Sequence, residues 1–131
     1  MQRNPLHRLF TTVAIAATGM SGLLTAMTVS AQSWPAKTVR IINPFPAGGG
    51  TDTFARPLAT RLTQALGQTV IIENIGGAGG TVGASNAARA NPDGYTYFMG
   101  AVHHTIAETL YTKLPYALER DFIPMTLVAS E

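Results

Sequence analysis

The chain has 131 residues, of which 46% are hydrophobic and 12% are charged, and it contains no cysteine. This length fits one modest globular domain, and the absence of cysteine excludes a disulfide framework and thiol chemistry. The formal net charge is only +2, so the composition indicates neither a nucleic-acid partner nor an anionic membrane surface.

Residues 1–31 have the layout of a secretory signal peptide. Arg3 and Arg8 flank the start of an apolar, uncharged run that closes on the small residues Val29-Ser30-Ala31, as signal peptidase cleavage requires. We therefore expect export to the periplasm and cleavage after about Ala31, with a weak membrane anchor as the alternative. Loss of the two arginines reduces nine basic residues to seven, which equals the number of acidic residues. The mature chain is thus formally neutral.

The first predicted strand and helix follow Trp34-Pro35. The β-branched and aromatic residues of "KTVRIINPF" predict a strand that prolines end. Residues 51–66 predict a helix with Thr51 as N-cap, and Pro57 predicts a bend in it or an irregular first turn. The apolar residues at helical spacing are expected to form the packed face of this helix. They are Phe54, Leu58, Leu62, Ala65 and Leu66.

The strand–helix order then repeats. "QTVIIEN" predicts a second, buried strand, "TVGASNAARA" a second helix and "YTYFMG" a third strand. "HTIAETLYTKL" predicts a third helix with Ile106, Leu110 and Leu114 in line, and "FIPMTLVAS" begins a fourth strand. This alternation with short connections predicts an α/β fold, with a parallel-type sheet and helices flanking both of its faces.

Two glycine-rich loops lie at the carboxyl ends of predicted strands, where α/β sheets bind ligands. They are "PFPAGGGTD" and "IGGAGGTVGA". Glycine is entropically costly, but it lets a ligand approach the backbone closely. N–H groups at a helix start have no internal partner and point outward. The two loops therefore predict a site for a compact anion, and glycines that only permit tight turns are the alternative.

The residues next to the glycines indicate which type of anion the loops would bind. A phosphate-binding Walker loop would need a lysine that is absent. Gly48 begins a partial dinucleotide fingerprint and Glu73 stands where a ribose-binding acid is expected, but Thr53 occupies the third glycine position. A carboxylate needs only a few aimed N–H groups and a hydroxyl such as Thr51 or Thr81. A carboxylate receptor is therefore favoured, with a nucleotide-binding enzyme fragment containing a Rossmann-like half as the alternative.

Four sequence blocks cover most of residues 34–131. They are "WPAKTVRIINPFPAGGGTD", "LGQTVIIENIGGAGGTVGA", "NPDGYTYFMG" and "LYTKLPYALERDFIPMTLVAS". In order and in approximate spacing they resemble the Bug/TctC-like receptors, which are the periplasmic solute-binding components of tripartite tricarboxylate transporters. The resemblance implies one lobe of a periplasmic-binding-protein (Venus-flytrap) fold. It also implies capture of a dicarboxylate, tricarboxylate or amino acid for transporter membrane subunits.

The resemblance further implies which residues contact the ligand, largely through backbone groups. These are Phe45, Ala47, Gly48, Gly49, Gly50, Thr51 and Asp52 in the first loop, Gly77, Ala78, Gly79, Gly80 and Thr81 in the second, and Ala101, His103, His104 and Thr105 after the third strand. No nucleophile–base pair is recognisable, so we expect no catalytic residue, no metal, no cofactor and no enzymatic activity. We also expect a monomer without a nucleic-acid partner.

Several points stay open at this level. Asp52 is expected either to bind an ammonium group or a water, or to complement the helix dipole. Glu73 and Asn74 are expected to close the second strand and brace the loop. Because family members are much longer, residues 32–131 are expected to be the N-terminal lobe, ending before the second domain. A truncated product without function is a further alternative.

Overall fold

The computed structural model describes residues 33–130. The elements in chain order are β1 (Val39–Asn43), α1 (Gly50–Leu66), β2 (Val70–Asn74), a short 3-10 turn (Ala78–Gly80), α2 (Thr81–Ala88), β3 (Thr96–Phe98), α3 (Val102–Leu110) and α4 (Leu118–Asp121). The predicted signal peptide, residues 1–31, lies outside the described residues. Within residues 33–130 no helix has both the length and the apolar character needed to cross a bilayer.

The three strands form one parallel sheet in the order β2-β1-β3. Ile41 at the centre of β1 is level with Ile72 of β2 and with Tyr97 of β3. The chain moves from β1 to β2 through α1 and then returns past β1 to β3 through α2. The predicted parallel sheet with flanking helices is therefore confirmed, and the strand order reverses direction at β1.

Helix α1 packs on one face of the sheet through small residues. Val39, Ile41, Val70 and Ala59 form the buried core there, and Ala55 and Ala59 let the helix approach the strands closely. The apolar face predicted for α1 is not the face that packs on the sheet. Phe54 is 53% exposed and Ala65 is also exposed. The three leucines of the predicted face are half-buried: Leu58, Leu62 and Leu66.

The start and middle of α1 also differ from the sequence prediction. The N-cap is Gly49, in an extended conformation, and not Thr51. The helix continues through Pro57 as one element from Gly50 to Leu66. Gly67 ends it in the left-handed conformation and donates its N–H to the carbonyl of Thr63, as a helix-stopping glycine does.

The opposite face of the sheet carries Ile42 and Phe98, which are level with each other in β1 and β3. Phe98 packs edge-to-face on His104 of α3, with ring centroids 5.0 Å apart, and against Phe122 at the same distance. Helix α2 approaches β1 so closely that a Cβ on Gly83 would lie 2.7 Å from the Cα of Pro44.

Two further sequence predictions were wrong at the carboxyl-terminal part of the described chain. Helix α3 runs from Val102 to Leu110 and buries His104 and Ala107, whereas Ile106 and Leu110, predicted to lie on its packed face, are 49% and 72% exposed. Residues 122–130, predicted to begin a fourth strand, form no strand. A strand needs a partner for its backbone groups, and none of the three strands pairs with this segment.

Candidate functional site

Three loops meet at the carboxyl edge of the sheet. We call the connections loop 1 (residues 44–49, β1 to α1), loop 2 (residues 75–80, β2 to α2) and loop 3 (residues 99–101, β3 to α3). Backbone hydrogen bonds tie both neighbours to β1, from Ile75 N–H to the carbonyl of Asn43 and from Met99 N–H to the carbonyl of Ile42, each 2.9 Å. All three loops therefore lie where the strand order reverses, which is the usual ligand position in such sheets.

Loops 1 and 2 contact each other directly. The side-chain amide of Asn74, the last residue of β2, donates to the carbonyl of Phe45 at 3.1 Å, so Asn74 braces loop 1. A Cβ on Gly76 would lie 3.7 Å from the Pro46 ring, and one on Gly80 would lie 3.3 Å from the Phe45 ring. The structure thus brings the two predicted glycine loops side by side.

Asp52 holds loop 1 from beneath. Its side chain is 2% exposed and accepts hydrogen bonds from Gly48 N–H (2.8 Å), Arg56 Nε (2.6 Å), Asn74 Nδ2 (3.0 Å) and Asn43 Nδ2 (3.4 Å). The Gly48 N–H, followed by the Arg56 and Asn74 side chains, holds the pKa of this carboxyl well below its usual range. Both oxygens are therefore engaged within the protein, and the charge is paired with Arg56.

The hydroxyls of Thr51 and Thr81 also donate inward. Thr51 Oγ1 donates to Asn43 Oδ1 at 2.8 Å, and Thr81 Oγ1 donates to the carbonyl of Ala78 at 2.9 Å. As placed, both hydroxyls present only lone pairs to an incoming anion. The donors left at this edge are main-chain N–H groups, such as those of Gly50 and Thr51, which have no acceptor within α1.

The two histidines after β3 have different environments. His103 is exposed, and its ring meets that of Phe45 edge-to-face at 5.4 Å. His104 is 1% exposed, its Nδ1 lies 3.1 Å from the N–H nitrogen of Ala101, and its Nε2 has no hydrogen-bond partner. Residues 33–130 hold no group of three His, Cys, Asp or Glu side chains suited to a metal.

The remaining predicted residues divide by exposure. Ala47, Gly48, Gly50, Gly77, Ala78, Gly79 and Thr105 are exposed, Phe45, Gly49, Thr51 and Ala101 are half-buried, and Asp52, Gly80, Thr81 and His104 are buried. Sequence reasoning missed Asn43 and Arg56. Two signals were available: Asn43 ends a buried strand directly before the glycine loop, and Arg56 stands four residues after Asp52, at the spacing of a helical ion pair.

The Glu73 carboxylate is paired with a residue of the neighbouring strand and not with the loops of the site. Its Oε2 accepts a hydrogen bond from Arg40 Nη1 at 3.1 Å across the sheet. The acid that the nucleotide alternative would use for a ribose is therefore paired with a strand residue. Two surface depressions also lie elsewhere, one between α1 and β2 and one near the amino ends of β1 and β3.

Comparison with known families assigns the chain. The model of the tripartite tricarboxylate transporter family receptor, TctC, matches residues 54–131. The chain belongs to this TctC family. TctC proteins are periplasmic solute-binding receptors of transport systems and not a family of enzymes.

Individual relatives and solved structures support the same family assignment. BugT of Bordetella pertussis is 39% identical over 105 residues, which are 79% of this chain and 32% of BugT. MatC of Rhodopseudomonas palustris, solved with bound malate, is 43% identical with a TM-score of 0.66 over 70% of this chain and 31% of MatC. The periplasmic binding protein BugD is 44% identical with a TM-score of 0.62 over 64% of this chain and 28% of BugD.

These coverages define what part of a TctC receptor is present. The chain spans about a third of the length of the relatives that it matches. The described residues form part of one lobe of the periplasmic-binding-protein fold, as the sequence predicted.

Proposed function

We propose that this chain is the part of an exported TctC receptor that grips one carboxylate of a small dicarboxylate ligand, for delivery to the membrane subunits of a tripartite transporter. The observation that carries the proposal is the meeting of loops 1, 2 and 3 at the point where the strand order reverses. Residues 1–31 would direct the export. The bound malate of MatC supports a dicarboxylate as the ligand class.

Main-chain donors at the start of α1 suit a carboxylate. Helix α1 has 17 residues, so its first turn carries a substantial positive partial charge as well as unpartnered N–H groups. A hydrogen bond to a charged group contributes about 1.5–3 kcal/mol. Two or three such bonds offset part of the association cost of about 4–15 kcal/mol, and contacts from loops 2 and 3 would add to them.

Asp52 does not oppose an anion bound above it. An unpaired aspartate in the first turn of α1 would repel a ligand carboxylate, but the Arg56 guanidinium lies 2.6 Å from its Oδ2. The carboxylate of Asp52 is also turned toward Gly48 N–H and Asn74, beneath loop 1. We therefore assign Asp52 to support of the loop, and place the ligand on the solvent side of Gly50 and Thr51.

The proposed contact surface keeps the residues predicted from the sequence and divides their roles. Loop residues around Ala47, Gly50 and Gly79 present backbone groups to the ligand, and Phe45 with His103 forms an apolar and aromatic margin. Asp52 and Thr81 hold the loops in shape. No catalytic group is assigned, because the loops offer mainly main-chain donors.

Substitution of Gly50 by proline tests the donor directly. Gly50 is the first residue of α1, Gly49 before it is extended with φ −74° and ψ 174°, and no atom lies within 4 Å of a Cβ on Gly50. Proline is well tolerated at such a position and removes only the N–H group. Gly50→Ala keeps the N–H and is the matched control.

The measurement is a titration of the ¹⁵N-labelled 131-residue chain with malate, succinate, adipate, citrate and aspartate, followed by amide chemical shifts. Dimethyl succinate serves as the uncharged control. We expect a dicarboxylate to shift the amides of Gly50, Thr51 and loop 2. Gly50→Pro should weaken its affinity about tenfold to a hundredfold, and Gly50→Ala should change it less than about twofold. A chain that responds to none of these acids, or a proline variant that binds like the parent, contradicts the proposal.

A further inference from the structure

His104 contains a buried polar atom that the described fold leaves without a partner. The side chain is 1% exposed, and Nε2 has no hydrogen bond. Phe45 and Phe98 pack edge-to-face against the imidazole, with ring centroids 5.9 and 5.0 Å away. Because buried polar groups are nearly always hydrogen-bonded, such an exception calls for an explanation; the hydroxyl of Tyr116 is a second such atom in residues 33–130, but it does not contact the three loops of the site.

Two backbone groups of Ala101, at the start of α3, lie within hydrogen-bond distance of Nδ1 of His104, and they favour opposite tautomers of the ring. The carbonyl of Ala101 already accepts the backbone N–H of His104 at 3.0 Å. The N–H of Ala101 has Nδ1 of His104 as its acceptor at 3.1 Å, which is the return bond of a helix-capping arrangement. The Ala101 carbonyl also lies 3.0 Å from Nδ1, but an Nδ1–H that donated to it would deprive the Ala101 N–H of its acceptor, whereas the carbonyl keeps the His104 backbone N–H in either form. An Nδ1 that accepts the Ala101 N–H carries no hydrogen in the neutral ring. We therefore assign the hydrogen to Nε2, which makes Nε2 a donor.

This donor lies against the turn that begins α2. A Cβ on Gly80 would lie 2.9 Å from Nε2, and Gly80 has φ +91°, so both the space and the backbone conformation require glycine here. Gly79 in the same turn is exposed and has open space where a side chain would be. Gly80 of this turn therefore covers Nε2, and the neighbouring Gly79 lies at the exposed surface of loop 2.

We infer that Nε2–H of His104 is a ligand-recognition donor, which a ligand carboxylate engages when the Gly79–Gly80 turn moves aside. The inference rests on the proposed function and adds a side-chain group to its main-chain donors. A buried N–H whose only missing partner is an acceptor favours an anion, and a charged acceptor gives the stronger hydrogen bond. His104 also links the loops, since it contacts Phe45 of loop 1, Gly80 of loop 2 and Ala101 of loop 3.

The tautomer provides a test that needs no ligand. Long-range ¹H–¹⁵N spectra of the histidine-labelled 131-residue chain distinguish the two neutral forms, and His104→Phe identifies the signals of His104. We expect the Nε2–H form, with a proton that exchanges slowly with solvent. The Nδ1–H form would overturn the inference and would leave the proposed function untouched.

Ligand titration provides the second test. Malate should shift the Nε2–H signal of His104 together with the Gly50 amide. His104→Phe keeps an aromatic ring but no donor, and should weaken malate binding about tenfold or more. His104→Gln places an amide N–H₂ at the reach of Nε2 and should restore at least part of the affinity.

The outcomes separate the two proposals. A malate response of Gly50 with unchanged affinity in His104→Phe overturns the role of His104 alone. No response of Gly50 in the parent chain overturns the proposed function and this inference together. If His104→Phe unfolds, as judged by circular dichroism, the tautomer and the malate shift of Nε2–H in the parent chain decide the question.

Discussion

Gly83 illustrates how single residues set the distance between α2 and the sheet. A Cβ at this position would lie 2.5 Å from the carbonyl oxygen of Ile75 and 2.7 Å from the Cα of Pro44. Both are backbone atoms, one in loop 2 and one directly after β1, so neither can give way without moving part of the proposed site. The absence of a side chain at Gly83 is thus a requirement of packing and not of backbone angle.

Gly83→Ala should consequently destabilise the chain. Overpacking of this kind costs about 1–3 kcal/mol, and for a domain of this size each kcal/mol lowers the melting temperature by about 4–8 °C. Thermal unfolding followed by circular dichroism measures the change. Asn86→Ala, on the exposed side of the same helix, is the control and should stay within about 0.5 kcal/mol. Equal stability of Gly83→Ala and the parent would contradict the close approach of α2 to β1.

The sequence predicted the two glycine loops that form the proposed site, but it did not predict the arrangement of the polar residues that support them. Asn43, Asp52 and Asn74 are polar, and a hydropathy pattern places polar residues outside. Asn43 and Asp52 are buried and Asn74 is half-buried. Their positions depend on strand register, which sets Asn43 level with Asn74, and on the rotation of α1, which turns Asp52 inward. The register and the rotation both result from contacts between segments that are distant in the sequence, so the local hydropathy pattern does not reveal them.

Helix α3 shows that the hydropathy pattern does not identify the buried face of a helix either. Its existence was predictable, but its apolar stripe, Val102, Ile106 and Leu110, is exposed, and its packed side is formed by His104 and Ala107. Hydrophobic spacing identifies a helix with one apolar face; it does not identify which face meets the rest of the described lobe. Here the small Ala107 and the flat imidazole of His104 permit the close contact that larger side chains would prevent.

Substitutions on the two faces of α3 test this orientation. Ala107 is 4% exposed, so Ala107→Leu should lower the free energy of unfolding by about 1–3 kcal/mol. Ile106→Gln, one residue earlier on the exposed face, should change it by less than about 0.5 kcal/mol. Urea titration of the 131-residue chain measures both. The reverse order, with Ile106→Gln as the damaging change, would mean that α3 packs through its apolar stripe.

For the whole molecule, the alternation of strands and helices predicted the α/β class correctly. It did not determine the strand order β2-β1-β3, because order depends on contacts between distant segments. The sequence also predicted the start of a fourth strand at residues 122–130, where the structure has none. The apolar composition of that segment is typical of a strand. A strand, however, is defined by hydrogen bonds to a partner strand, and the sequence of the segment does not show whether a partner is present.

Acid stability is a property of the whole lobe, because carboxylates with lowered pKa values lie in three separate parts of it. The Gly48 N–H and Arg56 lower the pKa of Asp52 at loop 1, and Lys37 with the Tyr95 N–H lowers that of Asp93 before β3. Arg120 and then the Ala117 N–H lower the pKa of Asp121 in α4 to about 2. Unfolded aspartate titrates near pH 3.9, so at lower pH the unfolded chain binds protons that the folded chain resists.

Stability from these groups is therefore fully present above about pH 4 and is lost as the pH falls toward 2. We expect the urea midpoint of the 131-residue chain to fall progressively between pH 4 and pH 2.5. Asp52→Asn should have a lower midpoint at pH 6, because it loses the Arg56 ion pair and one of the two oxygens that accept the four hydrogen bonds at this site, and it should show a shallower fall below pH 4. The difference between the two curves isolates the contribution of loop 1, since Asp93 and Asp121 are unchanged in the variant. A parent midpoint that stays constant down to pH 2.5, or parallel curves for the two proteins, would show that Asp52 does not hold loop 1 through its charge.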